Sequence, residues 1–135
     1  MTDEEFLRLL ESCELPEKDF DHRAHVRAAY ICLRQAQFPE ALSRVSRAIR
    51  SYAGHLGQPD RYHETVTVAF VALIQQHIVE RGAGDGWLDF ARNNPELFEP
   101  RLLNHFYSQA ELQSDLARNA FLLPRRRSTM ATRIT

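Results

Sequence analysis

Apolar residues recur at three- and four-residue intervals along most of this chain, which is the spacing of one face of an α-helix. The strict alternation of a half-buried β-strand does not occur over any convincing length. Capping residues, prolines and glycines divide the pattern into segments. We predict helices at about residues 3–13, 21–37, 39–53, 61–81, 87–93 and 109–122, with single turns between residues 95 and 107.

Several predicted boundaries carry the residues that suit helix ends. Thr2 with Glu5, and Ser108 with Glu111, have the spacing of a capping box. The glycines of residues 82–86 should end the fourth helix. That helix is apolar nearly all round, and such a helix is usually the buried centre of its domain. We therefore expect the second and fourth helices to be central.

The length of 135 residues and the 44% hydrophobic content fit one globular domain with a real core. We predict an all-α, single-domain bundle of six or seven helices over residues 1–124. Residues 125–135 begin with three arginines and lack a core pattern. We expect them to form a basic, flexible C-terminal tail.

The charge and the motifs disfavour several classes of function. A formal net charge of −1 provides no field that would attract nucleic acid or an anionic membrane surface. No run approaches the roughly 20 apolar residues of a membrane span. There is no glycine-rich phosphate loop or dinucleotide fingerprint, so we expect no nucleotide cofactor. The acidic start of the chain has no apolar segment of a signal peptide, and we expect a cytoplasmic protein.

Two histidines stand near the start of the second helix. His22 and His25 are three residues apart, which places both imidazoles on one helix face. Both lie on the apolar stripe of that helix and in its first turns, where a cavity mouth could be. Such a pair can hold a metal ion or can simply form hydrogen bonds in the core.

A second polar group opens the fourth helix. His63 shares a helical stripe with Thr67 and Phe70, so we expect its ring to point inward. Glu64 diverges from it by about 100° and would reach a site from the flank, as a ligand or general base. The plainer interpretation is that Glu64 complements the helix dipole.

Taken together, His22, His25, His63 and Glu64 are a plausible ligand set for a divalent transition metal such as zinc, iron, nickel or copper. In a catalytic site, His25, His63 and Glu64 would act on a small polar metabolite by hydrolysis, elimination or isomerisation. A metal-free site is the alternative, with histidine as acid or base and Arg or Tyr as an anion clamp. The candidate substrate-binding residues are Tyr30, Tyr62 and Arg118.

A different class of function also fits the sequence. The chain would then be a non-catalytic helical module that binds a ligand or another protein, with its histidines as core hydrogen-bonding groups. The apolar residues of the segment 98–107 would suit either the core or self-association into a homo-oligomer. Whether the protein is an enzyme stays open at this point.

Four stretches of the chain resemble a family of small all-helical bacterial proteins. These stretches are residues 20–27, with the His-x-x-His word, 62–67, with the Tyr-His-Glu-Thr word, 94–97 and 107–118. The resemblance covers roughly residues 15–124 and implies that the two words form one site. It implies no reaction, substrate or cofactor. The family pattern ends in Pro-Asp, whereas here Pro124 is followed by Arg125.

Overall fold

The computed structural model describes residues 1–125, and the tail predicted at 125–135 lies outside them except for Arg125. The described chain folds into seven α-helices and contains no β-strand, which confirms the all-α bundle. Four single turns of 3₁₀-helix connect the α-helices, at Glu17–Asp19, Pro59–Arg61, Pro95–Phe98 and Leu102–His105. The α-helices are α1 (Asp3–Glu11), α2 (His22–Gln35), α3 (Phe38–His55), α4 (Glu64–Arg81), α5 (Trp87–Asn93), α6 (Gln109–Gln113) and α7 (Asp115–Asn119).

Helix α2 is the centre of the bundle. Asp21 caps its start, since the Asp21 carboxylate accepts a hydrogen bond from the Ala24 amide at 2.9 Å. The helix packs against α1, α3, α4 and α5. Seven of its side chains are buried, and they form the middle of the hydrophobic core: Ala24, Val26, Ala28, Ala29, Tyr30, Ile31 and Cys32.

Helix α4 is less buried than its composition predicts. Within it only Thr65, Thr67, Val71 and Ile74 are buried, and Val79 is 77% exposed. The helix packs on α2 and α3 along one side and on α7 near its start. The expectation that α4 is buried nearly all round at the centre is therefore wrong, because most of its other apolar side chains are only partly buried. Gly82, with a φ of 88°, ends the helix as predicted.

The last predicted helix is two short helices rather than one. Ser114 ends α6 and its hydroxyl accepts a hydrogen bond from the Ala117 amide, so the same residue caps α7. The chain leaves the helical conformation at Ala120, whose backbone is extended, and residues 121–125 form no helix or strand. The Ser108–Glu111 capping box is present at the start of α6, as predicted. Among residues 1–125, no helix has the length and apolarity to cross a membrane.

Candidate functional site

The Tyr-His-Glu-Thr word lies at the start of α4, but His63 precedes the helix instead of lying within it. The Nδ1 atom of His63 accepts a hydrogen bond from the Val66 amide at 3.2 Å, which makes His63 the N-cap. Its Nε2 atom donates to the carbonyl of Leu112 at 2.6 Å. Both ring nitrogens are therefore occupied, and the ring joins the start of α4 to the end of α6. The prediction that His63 lies within a helix from residue 61 is therefore wrong, because α4 begins at Glu64 and His63 caps it.

The neighbouring side chains form a polar network at the same place. The Tyr62 hydroxyl donates to a carboxylate oxygen of Glu64 at 2.6 Å and lies 2.8 Å from the Ser46 hydroxyl. Arg50 stacks on the Tyr62 ring at 4.1 Å and contacts the Glu64 carboxylate at 3.3 Å. Burial, together with the hydrogen bond to Glu64, raises the pKa of Tyr62. The phenol therefore stays protonated and neutral near neutral pH.

A cleft of about 1090 Å³ opens beside this network. Pockets for small metabolites have comparable volumes. Tyr62, His63 and Arg118, which the sequence suggested as site residues, line the cleft together. The remaining walls come from the end of α3, the loop before α4 and helix α7.

Among residues 1–125, three arginines line the cleft, against two aspartates, Asp60 and Asp115. Arg50 is paired with Glu64, as described above. Within residues 1–125, neither Arg61 nor Arg118 is paired with a carboxylate. Arg61 donates to the Gln58 side chain at 3.0 Å, and Arg118 donates to the Asp60 carbonyl at 3.4 Å. Since a guanidinium carries five N–H donors, most of the donors of both groups remain for a ligand.

His22 and His25 lie elsewhere, on a small cavity of about 50 Å³ between α2, α3 and α4. The Nε2 atom of His22 donates to the Leu97 carbonyl at 2.9 Å. The Nε2 atom of His25 is buried and has no protein hydrogen-bond partner among the described residues. Burial and then the neighbouring His22 lower the pKa of His25 to about 4. The ring is therefore neutral near neutral pH.

Tyr30 is placed away from both cavities. Its hydroxyl donates to the Ala83 carbonyl at 2.8 Å, and its ring packs against Phe90 and Trp87. It therefore joins α2 to the loop that precedes α5 and to α5 itself. Tyr30 was predicted to bind substrate, but it does not line the cleft, and its contacts hold helices and a loop together.

The four candidate metal ligands are not gathered around one point. His63 and Glu64 belong to the cleft region, whereas His22 and His25 line the separate small cavity. Within the part of the chain that the structure describes, no three His, Cys, Asp or Glu side chains form a group that could hold a metal ion. The positions of these side chains therefore do not support the predicted metal site, and metal binding stays a prediction.

Sequence reasoning missed two of the three arginines in the cleft. Helical spacing places Arg50 on the polar face of the third predicted helix, and Arg61 falls in the first turn of the helix predicted at residues 61–81. Both lie in sequences that carry no local signal for a ligand. The one available hint was the glycine- and proline-containing loop at residues 54–60, which ends beside Tyr62. A loop of this kind can expose side chains to a cleft.

Comparison with known proteins adds no further identification. No family model matches the chain, and no curated protein or solved structure is significantly similar to it. The function must therefore be inferred from the geometry of the cleft and from the chemistry of its side chains.

Proposed function

We propose that this protein binds a small metabolite with a carboxylate or phosphate group in the cleft between the start of α4 and helix α7. The observation that carries the proposal is the pair of guanidinium groups, Arg61 and Arg118, which line one cleft without a carboxylate partner. Arginine presents its N–H donors in a planar fork that matches the oxygens of carboxylates and phosphates.

The two arginines come from different parts of the chain. Arg61 ends the 3₁₀ turn that precedes α4, whereas Arg118 lies in α7. A ligand that contacts both would bridge the two walls of the cleft. Arg50 could add a third contact, but it would first have to leave the Glu64 carboxylate, which it holds at 3.3 Å. We therefore assign the main anion contacts to Arg61 and Arg118.

The other polar groups of the cleft hold its shape. His63 uses both ring nitrogens within the protein, so it positions Leu112 and α4 and is not free to transfer a proton. The Tyr62 hydroxyl donates a hydrogen bond to the Glu64 carboxylate. The proposed activity is accordingly ligand binding, and a metal-dependent or metal-free enzymatic role for the same region remains a separate prediction.

Isothermal titration calorimetry with inorganic phosphate and with succinate tests the proposal and distinguishes the two ligand classes. We expect saturable binding of at least one anion to the wild-type protein. Arg61→Gln and Arg118→Gln should each weaken it by about 10- to 100-fold, because a hydrogen bond to a charged group contributes about 1.5–3 kcal/mol.

Arg92→Gln is the matched control. Arg92 is exposed on α5 and does not line the cleft, so this variant removes the same charge at another place. It should bind the anion with nearly wild-type affinity. If neither anion binds the wild-type protein, or if all three variants weaken binding equally, the cleft is not the anion site.

A further inference from the structure

The C-terminal segment 108–125 forms one wall of the cleft and is held to the bundle with little apolar burial. Within this segment, all of which the structure describes, Ala117 is the one buried residue. Leu116 is 61% exposed and Leu123 is 71% exposed. Buried apolar surface is the main source of tertiary stability, so this segment should separate from the bundle more easily than the core helices do.

Polar contacts from the start of α4 hold the segment instead. The fully buried Thr65 hydroxyl donates to the Ala120 carbonyl at 2.9 Å and accepts from the Leu122 amide at 3.0 Å. His63 donates to the Leu112 carbonyl at 2.6 Å. The histidine and the threonine of one short word thus hold the segment at two places, and the buried Tyr107 hydroxyl adds a hydrogen bond to the Leu122 carbonyl at 2.6 Å.

The position of Arg118 depends on this docking. Arg118 lies on α7, between the two held places, and its one hydrogen bond to the loop before α4 is long, at 3.4 Å to the Asp60 carbonyl. When the segment is docked, Arg118 shares the cleft with Arg61. When it separates from α4, the two guanidinium groups no longer line one cavity.

We propose that residues 108–125 act as a strap that opens and closes over the cleft, and that an anion bound between Arg61 and Arg118 holds it closed. The coupling to the anion rests on the proposed function, whereas the opening of the strap does not. Because coupling is reciprocal, a change that lowers the fraction of closed strap must weaken anion binding, at most by the factor by which the anion favours closure.

Amide hydrogen exchange measured by NMR, with and without inorganic phosphate or succinate, tests both parts. The Leu122 amide, which the Thr65 hydroxyl holds, should exchange faster than the Ile31 amide in the middle of α2. An anion that binds should slow the exchange at Leu122. The change should be small at Ile31.

Thr65→Val removes the hydroxyl but keeps the shape of the side chain, and Thr65→Ser is its control because it keeps the hydroxyl. We expect Thr65→Val to accelerate Leu122 exchange and to weaken anion binding by up to about tenfold, the most that the loss of one or two hydrogen bonds that close the strap can cause. Thr65→Ser should retain most of both properties.

Two results would contradict the strap proposal, and each can be distinguished from a failure of the proposed function. The coupling is wrong if an anion binds the wild-type protein but leaves Leu122 exchange unchanged and binds Thr65→Val equally well. The opening is wrong if Leu122 exchanges as slowly as Ile31 in the free protein. If neither anion binds, the proposed function and the coupling fail together, while the exchange of Leu122 still reports on the opening.

Discussion

Acidification should weaken the folded state through His25, whose pKa is about 4 in the fold and 6.5 in its ordinary environment. Between these two values the unfolded chain binds a proton that the folded chain does not, so protonation favours unfolding. The contribution of the neutral ring is fully present above pH 6.5 and is lost as the pH falls through about 4. From about pH 7.5 to about pH 5, the two pKa values give a loss of about 2 kcal/mol.

Urea unfolding at the two pH values, followed by circular dichroism, measures this loss. Other groups also titrate, so the relevant quantity is the difference between the wild-type protein and His25→Leu. The leucine fills most of the same space and cannot be protonated. We expect the stability of the wild type to fall by about 2 kcal/mol more than that of the variant.

An NMR titration of the His25 ring protons provides an independent check. Their midpoint should lie well below the ordinary value, since burial disfavours the charged imidazolium. A midpoint near pH 6.5, or an equal loss of stability in the wild type and His25→Leu, would refute the reasoning. The ring would then be hydrated or paired when charged.

Three further predictions concern other parts of the molecule. His63→Ala should lower the free energy of unfolding by about 2 kcal/mol in urea denaturation, whereas His63→Asn, which can still cap α4, should lose about half as much. Zinc titration of tag-free protein tests the predicted metal site, and it contradicts that site if no stoichiometric binding occurs or if His22→Ala and His25→Ala leave the affinity unchanged. Arg44→Gln should cost less than about 1 kcal/mol in thermal unfolding, because its ion pair with Glu11 is exposed.

Helices could be predicted from the sequence where the apolar periodicity and the capping residues indicated the same boundaries. Helix α2 was predicted because apolar residues recur at helical spacing over residues 21–37, and in the structure Asp21 caps its start. The capping box at Ser108 was likewise local and correct. The split between α6 and α7 was missed because Ser114 fits a helix interior by spacing as well as it fits the cap that it forms. Local periodicity does not separate these two uses of a serine.

The candidate site was predictable only in part, because tertiary packing decides it. Tyr62, His63 and Arg118 were suggested from residue type, and the structure places them on one cleft. The residues that form hydrogen bonds with His63 and Arg118 are distant from them in sequence. Leu112 accepts a hydrogen bond from His63 across 49 positions, and the Asp60 carbonyl accepts one from Arg118 across 58 positions. Spacing rules for helices and loops relate residues only a few positions apart, so they cannot predict contacts over such distances.

The most direct test of the anion-binding cleft is an NMR titration that observes the arginine Nε–H signals. With added phosphate or succinate, the signals of Arg61 and Arg118 should shift along one saturable curve together with the amide of His63, while the signals of Arg92 and Arg101 stay nearly unchanged. Weak, unsaturated shifts spread over all exposed arginines, or no shifts in the cleft, would contradict the account.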